Sequence, residues 1–264
     1  MVTRGARGMV TEQSPRRCIL VPIDLQGISP GALQTLVRIA RLLDRTLLGL
    51  LLEDIRLQQV ADLPFTTEIT LRGGRERSLL RDHLSQRHSL VSSDTRRLLD
   101  DLARRDRVEL RFENASGSRL HTALERDGQS DIFFPARQRW QLVAAARPRP
   151  DKAIRRLGLV LARTAQDQGV LDAAHMLQQA GLVSEIYVIS VGPLDRSQLN
   201  SLYRPGSRIC VQANLSCDPA TISRLIRESP YDLLLLPGDC IRGVAPAVLE
   251  TALDRSSGQV LVIN

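Results

Sequence analysis

The segment Arg17-Cys-Ile-Leu-Val-Pro-Ile-Asp24 is a short apolar run that ends in a carboxylate and leads into a helix-forming stretch. About 140 residues later, Arg156-Leu-Gly-Leu-Val-Leu-Ala-Arg163 opens a second series in a similar order. A strand that is apolar on both faces needs helices on both sides of its sheet, so the repetition predicts two α/β units in tandem, each doubly wound around a parallel sheet. Ala162 stands in the second opening where the first has Asp24. The two scaffolds have therefore diverged at the end of their first strand, where a side chain can meet a ligand.

The first series continues with a helix from Pro30 to about Asp44, with Leu33, Leu36, Val37, Ala40 and Leu43 on one face. Thr46 to Glu53 reads as a strand covered on both sides. After a variable segment with Pro64 and the Gly73-Gly74 turn, Arg75 to Arg105 predicts a long amphipathic helix. Its buried stripe is Leu79, Leu80, Leu84, Leu98, Leu99 and Leu102, with a break expected at Ser92-Ser93. Val108 to Phe112, Ser118 to Arg126 and Asp131 to Pro135 follow as strand, short helix and strand.

The second series gives strands at Leu157 to Ala162, Glu185 to Val191, Arg208 to Ala213, Asp232 to Leu236 and Gln259 to Ile263. Helices are expected at Val170 to Ala180, Ser197 to Tyr203, Pro219 to Glu228 and Val244 to Asp254. The expected division is a basic tail over 1–17, a first domain over 18–147 and a second over 148–264. Their two sheets are expected to pack on each other about an approximate two-fold axis.

Composition narrows the function. No apolar run approaches the roughly 20 residues of a membrane helix, and Met1 to Pro15 lacks the apolar centre of a secretory signal, which predicts a cytoplasmic protein without a membrane partner. The net charge of +7 sits in two places: residues 1–17 carry +3 and the connector 137–156 carries +6, while 18–136 sum to zero and 157–264 to −2. Neither folded unit has a basic excess, and aromatics are only 3%, which argues against a nucleic-acid partner. The connector, with Pro148, Pro150 and the lone Trp140, is expected as an exposed strap between the units.

Catalytic and metal signatures are missing. His83 and His88 are five apart on one helix, and His121 and His175 are isolated. There is no Gly-x-Ser-x-Gly elbow and no Walker loop. Neighbouring acids such as Asp100-Asp101 and Glu53-Asp54 point different ways and read as solvated charges. Cys18 and Cys210 fall in strand patterns as small core residues, and the Cys210 to Cys217 spacing fits no zinc or thioredoxin motif.

The chain resembles a tandem member of the universal stress protein family. The likeness rests on Ile19-Leu-Val-Pro-Ile-Asp24, on the elements from Leu98 to Ala136 with Ser130-Asp-Ile-Phe-Phe134, and on Tyr231-Asp-Leu-Leu-Leu-Leu-Pro-Gly238 through Gln259-Val-Leu-Val-Ile263. It implies cytoplasmic, dimeric or tandem α/β domains, of which only some bind ATP. ATP-binding members carry Gly-x2-Gly-x9-Gly and a Ser or Thr after the fourth strand, where glycines let the backbone approach phosphate oxygens. Here residues 129–157 hold no glycine, and counting from Gly238 puts Ile241 and Thr251 at the glycine positions.

Asp24 matches the family's strand-end acid, which contacts the nucleoside, and is the one candidate cofactor-binding residue. An Asp after a strand also commonly caps the turn that follows. The sequence thus predicts a non-enzymatic stress-type protein, an internal pseudo-dimer and possible homodimer, that binds a protein partner or small ligand without cofactor or metal. The alternative is an adenine-nucleotide binder or weak ATPase using Asp24 and an unconventional phosphate site. A third reading is polyanion binding through the arginine-rich arms.

Overall fold

The computed structural model describes residues 17–24, 28–53, 55–69, 73–125, 130–136, 154–194, 196–203, 208–212 and 215–264. The first series is β1 (Cys18–Ile23), α1 (Pro30–Leu42), β2 (Thr46–Glu53), α2 (Ile55–Ala61), β3 (Thr67–Ile69), β4 (Glu76–Ser78), α3 (Arg81–Asp106), β5 (Leu110–Ser116), α4 (Arg119–Glu125) and β6 (Asp131–Phe134). The second is β7 (Arg156–Leu161), α5 (Asp167–Gln179), β8 (Glu185–Ser190), a 3-10 helix (Arg196–Leu202), β9 (Arg208–Gln212), α6 (Pro219–Glu228), β10 (Leu233–Pro237), α7 (Gly238–Arg242), α8 (Pro246–Arg255) and β11 (Gln259–Ile263).

Local chemistry sets several boundaries. The Ser29 hydroxyl accepts from the Ala32 amide and Pro30 takes the first helical position of α1. Asp218 and Pro219 do the same for α6. α3 stops where Arg107 turns left-handed at φ 57°. Contrary to the expected break at Ser92-Ser93, α3 is continuous, because serine costs a helix only about 0.5 kcal/mol and needs no kink. Its buried residues are Leu84, Thr95, Leu99 and Ala103, whereas Leu80 is half exposed.

The main departure concerns the sheets. Nine strands form one sheet in the order β5-β2-β1-β6-β11-β10-β7-β8-β9, while β3 and β4 make a separate hairpin. The expectation of two sheets packed on each other is corrected: the series join edge to edge. Read inward from either side, the order is third, second, first and fourth strand of that series. β11, the fifth strand of the second series, lies between both fourth strands, parallel to β10 and antiparallel to β6. Edge pairing satisfies backbone groups on β6 and β11 that would otherwise face outward.

Because side chains alternate across a strand, the seam feeds a core on each face. Phe133, Leu261 and Ile263 enter one core with Leu33, Leu36, Leu99, Leu171 and Leu177. Ile132, Phe134, Val260 and Val262 enter the other with Leu120, Ile226, Leu249 and Leu253. Each core takes residues from both series. On one face α1 meets α5, and on the other α8 packs against both α4 and α6. There the buried Arg119 guanidinium pairs with Asp254 across the seam at 3.2 Å and stands 5.7 Å over the Phe134 ring.

At one end of the seam Asp131 is fully buried. Its carboxylate accepts from the Asn264 amide at 3.1 Å and pairs with Arg45 at 3.2 Å. The Asn264 side-chain amide donates to the Ser130 carbonyl, and Arg17 donates to the Asn264 carbonyl at 3.1 Å. Burial pushes the Asp131 carboxyl above its ordinary range, and the Asn264 amide and Arg45 pull it back. The arginine-rich tail and the expected strap with Trp140 fall on 1–16 and 137–153, outside the described residues. No helix among the described residues is long and apolar enough to cross a membrane.

Candidate functional site

In a doubly wound sheet the crevice for ligands opens at the carboxyl ends of the strands where the winding reverses. The second series reverses between β7 and β10. After β7 the chain turns with Arg163 at φ 62°, which aims two consecutive amides at the start of α5. The Asp167 carboxylate takes both, from Ala162 at 3.1 Å and Arg163 at 2.8 Å, and also the Thr164 hydroxyl at 3.1 Å. Such a nest of amides is a general anion holder. Here its anion is the protein's own side chain.

The other wall is filled as well. Instead of a phosphate loop, β10 runs directly into α7, and the Asp239 amide donates to Gln166 Oε1 at 2.9 Å. Gly238 is the close-approach residue: a Cβ there would stand 1.9 Å from Asn264 Oδ1, so the Asn264 side chain takes the space that any other residue's Cβ would need. Sequence counting found the glycine spacing lost; it did not foresee the helix or the internal partners.

The first series reverses between β1 and β6. Asp24 lies half-buried at the carboxyl end of β1, where the sequence placed it. Residues 25–27, which follow Asp24 in the chain, and 137–153, which follow β6, lie outside the described residues.

One strand over from Asp24, a different opening appears. Ile23 registers with Leu51, and Leu51 and Glu53 of β2 form one wall of a cleft of about 370 Å³. Leu57 and Gln58 of α2 and Asn114 of β5 close two further sides. The remaining wall is one face of α3: Leu84, Ser85, His88, Ser89, Ser92, Ser93 and Arg96, which recur every three or four residues. This volume falls in the range of small-molecule sites.

Its polar groups are held in place. The His88 Nε2–H donates to the Leu52 carbonyl at 2.9 Å, which fixes the ring, and Nδ1 faces Glu53 at 3.9 Å. The Arg96 guanidinium rests 4.8 Å over the Phe112 ring. The cleft thus offers a carboxylate, a guanidinium, an imidazole, two amides and four hydroxyls around an apolar floor. The sequence reading took Ser92-Ser93 for a helix break; the usable signal was the recurrence of Ser85, His88, Ser89, Ser92 and Ser93 along one exposed to half-buried face of α3. His83, His121 and His175 do not line this cleft, and among the described residues no group of three or more His, Cys, Asp or Glu is arranged to hold a metal.

No family model matches the chain, and no curated protein matches it. Among solved structures it aligns with a universal stress protein from Archaeoglobus fulgidus DSM 4304 at 12% identity and TM-score 0.49, over 93% of this chain and 95% of that one. It also aligns with the lysine monooxygenase NbtG from Nocardia farcinica at 12% identity and TM-score 0.15, over 94% and 71%. The α/β, doubly wound assignment stands on the chain's own strand order.

Proposed function

We propose that this chain is a non-catalytic, universal-stress-type binding protein, an internal pseudo-dimer that holds a small polar ligand in the cleft beneath α3. The observation that carries the reading is the lining of that cleft: polar groups of both charges around an apolar floor, in which His88 faces Glu53 at 3.9 Å but commits its Nε2–H to the Leu52 carbonyl, so that nitrogen is not free to take the proton of Ser92, 3.5 Å away. A ligand with both a cationic and an anionic end, or several hydroxyls, matches it. The reading places the protein among those that act by binding in a stress response.

The closed crevice of the second series supports leaving ATP out of this account. Its amides already serve Asp167 and Gln166, and a triphosphate would have to displace both. Native mass spectrometry of the purified chain, with Ser92→Leu as the filled-cleft control, tests the proposal. A copurifying small molecule lost in Ser92→Leu supports it; the same molecule retained in that variant places the ligand elsewhere and refutes it. Calorimetric titration with ATP should show no saturable binding below millimolar concentration. A stoichiometric isotherm abolished by Asp24→Ala would make the nucleotide-binding alternative the better account.

A further inference from the structure

The fold brings together two cysteines that no spacing motif relates. Cys217 lies on the short segment between β9 and α6, and Cys240 lies in α7. Their sulfurs are 3.9 Å apart, both thiols are free, Cys217 is exposed and Cys240 is buried. The segment carrying Cys217 is pinned on both sides: the Leu215 amide donates to the Ser190 carbonyl at 3.1 Å, and Asp218 caps α6 through the Thr221 amide at 2.8 Å. A disulfide holds its sulfurs about 2.05 Å apart, so closing this pair requires an approach of roughly 2 Å, within reach of side-chain rotation and a small shift of a surface segment.

We propose that Cys217 and Cys240 form a reversible redox site, oxidised to an intramolecular disulfide by hydrogen peroxide. The two thiols have different tasks. Cys217 is open to solvent and meets the oxidant first: its thiolate attacks one peroxide oxygen, the O–O bond breaks, and the departing hydroxide takes up the proton the thiol released, leaving Cys217 sulfenic acid and one water. Cys240 then attacks the sulfenic sulfur, the S–O bond breaks, and the hydroxide leaves with the Cys240 proton as a second water. Two thiols lose two electrons in total and peroxide gains them. Burial, and the neighbouring Cys217, hold the Cys240 proton on sulfur, so Cys240 does not compete for the first step.

The remaining thiols are placed differently. Cys18 begins β1 and Cys210 lies on β9, and both are half-buried. The disulfide would tie the start of α6 to α7, the helix whose Asp239 amide is held by Gln166 over the second crevice. Oxidation would therefore be recorded beside the sealed crevice and away from the cleft beneath α3, so this site stands or falls independently of the ligand there.

The test uses the full chain, fully reduced and then treated with equimolar hydrogen peroxide. Free thiols are alkylated, and the intact mass is read before and after reduction. Chymotryptic cleavage after Leu215 separates Cys210 from Cys217 for mapping. The expected result is loss of two of the four alkylatable thiols, a mass about 2 Da lower before alkylation, a peptide linking Cys217 to Cys240, and full reversal by dithiothreitol. Cys217→Ser should keep its three thiols, and Cys240→Ser should trap Cys217 as a sulfenic acid that reacts with dimedone. Pairing of Cys217 with Cys210, stepwise oxidation of Cys217 to sulfinic acid while Cys240 stays alkylatable, or no thiol loss at all would each overturn the proposal. Because Cys217 is exposed, its serine variant retains the fold and keeps the test decisive should Cys240→Ser fail to fold.

Discussion

Truncation of Asp131 should weaken the protein more than any exposed charge change, and its magnitude follows from what the carboxylate holds. Asp131→Ala removes the acceptor of the Asn264 amide and the partner of Arg45 together. An unmet buried donor costs about 1–3 kcal/mol, and breaking a buried pair on one side about 3–5 kcal/mol. Arg45 is a quarter exposed and can turn partly to water, so the lower end applies, about 3 kcal/mol. Asp131→Asn keeps an oxygen for the Asn264 amide and removes a desolvated charge, and should cost about 1 kcal/mol.

The two variants also differ in their pH dependence. Burial raises the Asp131 carboxyl above its ordinary 3.8, so the native state holds this proton more tightly than the unfolded chain. Its contribution to stability is fully present below 3.8 and is lost as pH rises through the folded value. The advantage of wild type over Asp131→Asn should therefore shrink as pH rises from 3.8. Urea unfolding followed by circular dichroism gives both quantities. An Asp131→Ala variant within about 1 kcal/mol of wild type, or an Asp131→Asn variant equally damaged, would refute the claim that this hydrogen-bonded carboxylate locks the seam.

Other outcomes test separate parts of the fold. Leu99→Ala removes a fully buried side chain of α3 and should cost about 2–5 kcal/mol in the same urea assay. Gly258→Ala would set a Cβ 2.1 Å from the Tyr231 carbonyl oxygen, a backbone atom that cannot rotate away, and should cost about 2–3 kcal/mol. Its control, Gly243→Ala, meets nothing within 4 Å and should be neutral or slightly stabilising. The Asp218 carboxyl is pushed down to about 2 by the Ser216 hydroxyl and then the Thr221 amide and hydroxyl. Its contribution is present above 3.8 and lost as pH falls towards 2. Thermal melts between pH 5 and 2 should show a loss in wild type that is reduced in Asp218→Asn.

The strands were legible because buried parallel strands are written as unbroken apolar runs: Thr46 to Glu53 was read to the residue, and β10 was read one residue early. The seam was not, because Ile132, Phe134, Val260 and Val262 state only that two strands have apolar neighbours, not which neighbours. α7 escaped for another reason: five residues beginning with glycine carry no helical period. The cleft was half legible. Ser92 and Ser93 were seen but taken as a break, since adjacent serines read locally like a loop signal. Asp24 was placed correctly at a strand end, and the contact of Cys217 with Cys240 depends on how α6 and β10 return the chain, which spacing alone does not encode.

The antiparallel seam also has a consequence for synthesis. β6 and β11 are separated by roughly 125 residues, so at about 5–20 residues per second the outer edge of β6 waits about 6–25 s for its partner. Local elements form in microseconds, and the first series can therefore be assembled on the ribosome with one edge still open. That edge is only four residues long, Asp131–Phe134, and begins with a carboxylate. Brevity and charge are the means by which strands discourage pairing with a neighbouring chain. The residue that later locks the finished seam is thus placed to guard the same edge during translation, before Asn264, its partner across the seam, has been made.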